Sequence, residues 1–250
     1  MTATAAAPAR PCLLALDTAT EVVHLALVVG EEVRALAVEG GAQASSSTLP
    51  ALQKLLADAG LAWSQLDAIA FGRGPGAFTG LRTACSLAQG LALAADCPVI
   101  SLDTLMAVAE DARQADPSVW AEGDTLWVAQ DARMGELYVA AYRWLGTHWQ
   151  ADTDPGLWAL GVARERWDDG AAGAARRRIA GNALLAHPAT FEGLSAASWP
   201  QAAPRGAALA ALATRAWSRG EVVDAALALP LYVRDKVAQT TAERLAARRG

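Results

Sequence analysis

The sequence predicts an α/β fold with two packed lobes. Its first hundred residues carry strands and helices in the order βββαβα, followed by a further strand. A strand that follows a crossover helix usually pairs in parallel, so mixed sheets are expected. The 250 residues, 53% of them hydrophobic, are enough to bury a sizeable core. We assign the first lobe to 11–102, the second lobe to 103–220, and a C-terminal segment to 221–250 that we expect to return to the first lobe.

Apolar runs bounded by turn residues predict the elements of the first lobe. PCLLALDTAT begins as a buried strand and ends in a polar turn, and EVVHLALVVG and EEVRALAVEG follow as an antiparallel meander. SSSTLPALQKLLADAG predicts a helix that is capped near Ser46 or Ser47 and stops at Gly60. LDAIAFG is the next strand. A glycine-rich stretch then leads into a helix over Thr79–Ala95, and CPVISL completes the lobe.

The second lobe is predicted in less detail. TLMAVAEDARQ is a helix, and TLWVAQDA and GELYVAAYRW are strands joined by a turn over residues 133–135. Residues 146–204 show little periodicity. AALAALATRAWSRG predicts another helix, ALPLYVRDKV an extended segment, and the last ten residues a frayed helix.

Composition limits the classes of function. A net charge of −5 gives no strong basic field, so any RNA role would need a partner that carries the positive charge. Three cysteines without metal-ligand spacing predict reduced thiols and a cytoplasmic protein. No apolar run approaches about 20 residues, so no membrane association is expected.

The stretch FGRGPGAFTGLRTACSLAQGLA resembles a phosphate-binding loop in outline. Gly74-Pro75-Gly76 predicts a tight turn with positive φ at Gly76, and Thr79 is a plausible N-cap. Free N–H groups at the helix start could hold an anion, but the stretch has neither the Walker GK[ST] nor the dinucleotide fingerprint. The alternative to anion binding is a role in packing, because Ala84, Ala88 and Ala92 form a stripe of small residues that allows another element to approach the helix closely. This stripe faces either a partner or the lobe's own sheet.

Chemically active side chains are scarce, and we identify no catalytic residue. Asp17 and Thr18, at the end of the first strand, could orient a magnesium-bound nucleotide or form a side-chain-to-backbone turn, and we favour the turn. Turn chemistry equally explains the polar residues of DARMGELY. No two of the histidines, His24, His148 and His187, have the i, i+4 spacing of a metal-ligand pair. We interpret His24 and Cys85 as structural residues.

Four motifs in this order, LALDTAT, FGRGPGAFTGLRTACSLAQGLA, DARMGELY and LYVRDKVA, resemble the TsaB (YeaZ) family over residues 13–238. The resemblance implies the two-lobed fold of actin, sugar kinases and heat-shock ATPases. It implies a non-catalytic role in making N6-threonylcarbamoyladenosine in tRNAs that read codons beginning with A, beside the catalytic paralogue TsaD and the ATPase TsaE. It also implies a homodimer when the protein is alone, and partner contacts through the helices of the first lobe.

The resemblance also implies what is missing here. TsaD-like proteins carry two metal-binding histidines one turn apart, and their approximate counterparts are Thr104 and Val108, so no metal centre is expected. No cofactor is expected to bind tightly, although the resemblance allows ATP or ADP at the subunit junction. The candidate partner or nucleotide-junction residues are Asp17, Thr18, Gly74, Pro75, Gly76, Thr79, Gly80, Arg82, Ala84, Ala88 and Ala92.

Two rival functions are weighed against this one. A nucleotide-binding hydrolase or phosphotransferase would use Asp17, Thr18 and the glycine turn, but no second carboxylate can be named as a base. A peptidase would need metal ligands or a nucleophile–base pair, which the motifs do not provide.

Overall fold

The computed structural model describes residues 10–168, 177–193 and 196–234. It contains two mixed sheets, so the predicted α/β fold with a βββαβα first lobe is confirmed. The expected frayed helix over the last ten residues lies outside the described residues. Among the helices within these ranges, none combines the length and the apolar character that crossing a bilayer requires.

The first sheet has the strand order β3-β2-β1-β4-β5. Its first three strands form the predicted antiparallel meander, and β4 and β5 run parallel to β1. The strands are β1 (Cys12–Asp17), β2 (Val22–Val29), β3 (Glu32–Glu39), β4 (Ala68–Gly74) and β5 (Val99–Asp103). Two helices cover one face, α1 (Ala44–Asp58) and α2 (Phe78–Ala95).

Both helix starts differ from the prediction. A 3-10 turn over Gly41–Gln43 leads directly into α1, so the helix begins ahead of Ser46 and Ser47 and neither serine caps it. The cap position of α2 is Ala77, and Thr79 lies within the helix with no capping hydrogen bond. The Ala77 N–H instead donates to the Ala19 carbonyl at 2.9 Å, so a tertiary contact takes the place of a local cap.

The second sheet has the order β11-β10-β6-β7-β8, with β9 also paired to β7. Its strands are β6 (Thr125–Asp131), β7 (Glu136–Trp144), β8 (Trp149–Ala151), β9 (Gly156–Ala159), β10 (Arg177–Ala180) and β11 (Ala196–Trp199). The described residues of the weakly patterned 146–204 region supply short strands and the short helices α4 (Leu160–Asp168), α5 (Ala183–Ala186) and α6 (Pro188–Phe191). Two longer helices flank this part of the chain, α3 (Thr104–Ala115) and α7 (Gly206–Ser218).

Helices α3 and α7 lie between the two sheets and join them into one core. Side chains from both sheets pack in this layer, including Leu13 of β1, Leu126 of β6 and Leu209 of α7. Gly206 lets α7 approach β2, because a Cβ there would lie 2.3 Å from the Leu25 carbonyl oxygen. The lobe boundary near residue 103 therefore stays a prediction, since these helices contact elements of both sheets.

Candidate functional site

A cleft of about 440 Å³ opens between the lobes. The end of β1, the glycine turn and the start of α2 form one wall, and the end of β6 with the β6–β7 hairpin forms the other. The C-terminal segment completes the lining. All four motifs that carried the family resemblance contribute residues, among them Ala19, Gly76, Asp131, Tyr138, Leu231 and Arg234.

Asp17 is buried beneath this cleft, and both of its carboxylate oxygens are engaged. Oδ1 accepts a hydrogen bond from the Ala19 N–H at 2.7 Å, and Oδ2 accepts one from the Thr104 hydroxyl at 2.7 Å. Gly72 makes room for the carboxylate, because a Cβ there would lie 1.8 Å from Oδ2. Burial raises the pKa of Asp17 to about 6, although these hydrogen bonds favour its charged form. The geometry fits the turn interpretation better than a magnesium-orienting role.

Thr18 joins the same strand end to α2. Its hydroxyl donates to the Gly80 carbonyl at 2.6 Å. A Cβ on Gly80 would lie 2.0 Å from the Thr18 carbonyl oxygen. This glycine is therefore required by the contact between the helix and the strand end.

The glycine turn differs from the prediction in one respect. Gly74 has the left-handed φ of +118°, and the peptide bond to Pro75 is cis. Gly76 does not have a positive φ, so that expectation was wrong. Space explains Gly76 instead, because a Cβ there would lie 2.5 Å from the Ala19 Cβ. The turn is packed directly on the end of β1.

The small-residue stripe of α2 faces the lobe's own core. Ala84, Ala88 and Ala92 are each at most 1% exposed and pack with apolar side chains of the sheet and α1. Of the two alternatives left open by the sequence, the core-facing one is correct. The opposite face of α2 is exposed and repeats at three- and four-residue spacing: Thr79, Arg82, Ser86, Gly90 and Leu93.

A second buried carboxyl connects the two lobes. Asp103 caps α3 by accepting the Leu105 N–H at 2.9 Å, and it accepts the Tyr142 hydroxyl of β7 at 2.8 Å. Burial raises the pKa of Asp103 and, together with this carboxylate, that of Tyr142. Sequence reasoning gave neither residue a role, because they lie 39 positions apart and share no local pattern.

Polar pairs stand at the mouth of the cleft. His187 contacts Asp131 at 3.0 Å, and Arg133 bridges to Glu21 of the first lobe at 3.1 Å. Burial acts to raise the pKa of Asp131, but the bonds from His187 and from the Arg133 N–H lower it on balance. No sequence signal pairs His187 with the hairpin, because 56 positions separate the partners.

Thr104 and Val108, which the resemblance gives as approximate counterparts of two metal-binding histidines, have other surroundings here. The Thr104 hydroxyl is committed to Asp17, and Val108 is fully buried. Within the described ranges, no group of three or more His, Cys, Asp or Glu side chains is placed to hold a metal ion.

Comparison with known proteins identifies relatives of the chain. A family model described as TsaD, tRNA N6-adenosine threonylcarbamoyltransferase, matches residues 39–160. The tRNA threonylcarbamoyladenosine biosynthesis protein TsaB of Haemophilus influenzae is 41% identical over 126 residues, which cover 50% of this chain and 51% of that protein. The protein of the same name from Escherichia coli is 34% identical over 175 residues, which cover 63% of this chain and 74% of that protein.

A solved structure extends the similarity over most of the chain. YeaZ from Pseudomonas aeruginosa superposes with a TM-score of 0.77 at 32% identity, covering 89% of this chain and 99% of that one. In sequence, by contrast, the alignment spans about half the length of the Haemophilus relative.

Proposed function

This chain belongs to the TsaB family, and we propose that it is the non-catalytic partner subunit in the synthesis of N6-threonylcarbamoyladenosine in tRNA. In this proposal it supports TsaD, which transfers the threonylcarbamoyl group to the adenosine next to the anticodon, together with the ATPase TsaE. The protein acts in the cytoplasm, and tRNA is bound by the complex. Alone, the chain pairs with itself through the surface that TsaD uses.

The commitment of Asp17 to structure supports a non-catalytic role. A carboxylate that orients a metal-bound nucleotide must present an oxygen to the ligand. Here one oxygen binds the Ala19 N–H, the other binds Thr104, and the residue has no exposed surface. These contacts weigh against the hydrolase and phosphotransferase alternative.

The exposed face of α2 supports the proposed partner surface. Leu93 is 80% exposed although it lies on a well-packed helix of 18 residues. An apolar side chain with polar and small neighbours on one helix face is suited to contact with another helix. We place the TsaD contact on this face and exclude the buried alanine stripe from it.

Replacing Leu93 with glutamate tests the proposal. Leu93→Glu should melt within about 2 °C of the parent, because substitutions at exposed positions change the free energy of unfolding by less than about 0.5 kcal/mol. Affinity for TsaD should fall by roughly 10-fold or more, because a charge at a buried contact is left unpaired. Isothermal titration with TsaD, and threonylcarbamoylation of tRNA with TsaD and TsaE present, measure both consequences.

Leu185→Glu is the matched control. Leu185 is 56% exposed and lies on α5 of the second lobe. The control variant therefore introduces the same charge at an exposed leucine away from α2. If Leu93→Glu bound TsaD with unchanged affinity, the proposed TsaD contact on α2 would be wrong. Failure of the parent chain to bind TsaD or to support modification would contradict the proposed function itself.

A further inference from the structure

Two of the family motifs, LYVRDKVA and DARMGELY, are not used by the proposed function, yet the structure brings them together. Residues 231–234 of the first motif leave the first lobe and cross the cleft to the hairpin of the second motif. The contacts of this short segment fall into three groups, one at each end and one in the middle.

The first group ties the segment to the end of β4. The Leu231 N–H donates to the Arg73 carbonyl at 2.7 Å. The Leu231 carbonyl oxygen lies 2.8 Å from where a Cβ of Gly74 would be. The glycine turn therefore accommodates this segment as well as the end of β1.

The second group holds the first turn of α2. The Tyr232 ring lies 5.0 Å from the Phe78 ring, centroid to centroid. Its hydroxyl accepts a hydrogen bond from Arg82 Nε at 3.0 Å, and the Arg82 guanidinium lies 3.9 Å from the centroid of the Phe78 ring. Aromatic and cation–π contacts of this kind add modest stability at exposed sites.

The third group reaches the second lobe. One terminal nitrogen of Arg234 donates to Glu136 Oε2 at 2.6 Å and to the Ala132 carbonyl at 2.9 Å. The Arg234 side chain is 16% exposed and that of Glu136 is 33% exposed, so water screens this ion pair only in part. Most of the connection between the segment and the second lobe depends on this arginine.

We propose that residues 231–234 form a clasp across the two lobes, which opens without unfolding either lobe and controls access to the cleft. The lobes do not need the clasp to stay together, because α3 and α7 join them through a shared apolar core. The clasp itself is held by few and mostly polar contacts. Elements with few buried apolar contacts open locally at a lower free-energy cost than the whole domain.

Glu136→Gln tests the clasp by weakening its contact with Arg234 at nearly constant side-chain shape. Hydrogen exchange of the Leu231 amide reports opening, since its N–H is bonded only while the segment is seated. We expect exchange to accelerate roughly 5- to 10-fold, while the amides of β1 keep the parent rate. Glu221→Gln is the control, because Glu221 forms an exposed ion pair with Arg219 at 2.7 Å and should leave Leu231 unchanged.

Access to the cleft is measured in a Val108→Cys background. Val108 lines the cleft but has no exposed surface, so a thiol reagent should reach the introduced thiol only when the cleft opens. Cys85 is the internal reference, because it lies on the buried face of α2 and should be labelled only on larger unfolding. Peptide mass spectrometry separates the two rates, and Glu136→Gln should accelerate the first roughly 5- to 10-fold and leave the second unchanged.

Three results would overturn the clasp. Leu231 could exchange at an unprotected rate in the parent chain, which would mean that the segment is not seated. Leu231 and the amides of β1 could accelerate together, which would make the contact part of the global fold. The introduced thiol could react at the same rate with and without Glu136→Gln. Recovery of the parent rates in the charge-swapped pair Glu136→Arg with Arg234→Glu would support the clasp further.

Discussion

Asp17→Asn should stabilise the protein more at neutral pH than in mild acid, relative to the parent. The parent carries a buried carboxyl whose pKa is raised from 3.8 to about 6, first by burial, with a smaller contribution from the charge of Asp103. The neutral amide occupies nearly the same volume and keeps an oxygen for the Ala19 N–H. It has no charge to bury, and its interaction with Thr104 is less favourable.

The magnitude follows from the difference between the folded and unfolded pKa of Asp17. A shift from 3.8 to about 6 costs about 3 kcal/mol at pH 7, since one pKa unit corresponds to about 1.4 kcal/mol. Because the folded pKa is raised, the native state binds more protons between pH 4 and 6, and this cost decreases as the pH falls. About 1 kcal/mol of stability should be regained by pH 5.

Urea unfolding of the parent and of Asp17→Asn at pH 7 and pH 5 measures this difference. The free energy of unfolding of the variant minus that of the parent should be about 1 kcal/mol smaller at pH 5 than at pH 7. Asp224→Asn is the matched control, because Asp224 accepts the Ala226 N–H at 2.8 Å in the same turn geometry but is exposed. The difference for Asp17→Asn should change more with pH than the difference for this control. An equal change for the two variants would refute the buried-carboxylate interpretation.

The other predictions concern α2 and metal binding. Gly80→Ala should destabilise the protein by about 3 kcal/mol, because the added Cβ would meet the Thr18 carbonyl oxygen. Gly90→Ala should instead stabilise the protein by about 0.5–1 kcal/mol, because no atom lies within 4 Å of its added Cβ. Urea unfolding compares the two variants, and equal effects would contradict the packing argument. Ala88→Glu should lose its cooperative thermal melt, since it places a charge in the core; a native-like melt would mean that the stripe is accessible. The purified chain should hold less than one zinc or iron ion per molecule, and elemental analysis showing one per chain would reverse our interpretation of Thr104 and Val108.

The elements with regular periodicity could be predicted from sequence, and the starts of α1 and α2 could not. The β1–β3 meander follows from apolar runs broken at Gly30, which has a φ of +63°. The start of α2 depends on the Ala77 N–H, whose partner is the Ala19 carbonyl 58 positions earlier. Local capping rules assume a nearby side chain, so they placed the cap at Thr79.

The role of the candidate site stays a prediction, but the structure shows where its residues lie. Asp17, Thr18 and the glycines do meet at one place. Their partners, Thr104 and Gly80, lie 87 and 62 positions away. The sequence is compatible with both a nucleotide-orienting role and a turn role for Asp17, because both roles use a carboxylate at the end of a strand. Burial distinguishes the two roles, and burial depends on the packing of α3 against the first sheet.

The convergence of the four motifs on one cleft changes how a sequence resemblance of this kind is interpreted. Residues of the four motifs bind one another: Thr18 binds Gly80, Leu231 binds Arg73, and Arg234 binds Glu136. Such residues form a mutually dependent structural unit whether or not chemistry occurs there. A partner must then use surface that this unit leaves free, and the outer face of α2 is exposed beside it. Substitutions inside the unit should therefore change stability or clasp opening first, whereas Leu93→Glu should change partner affinity alone.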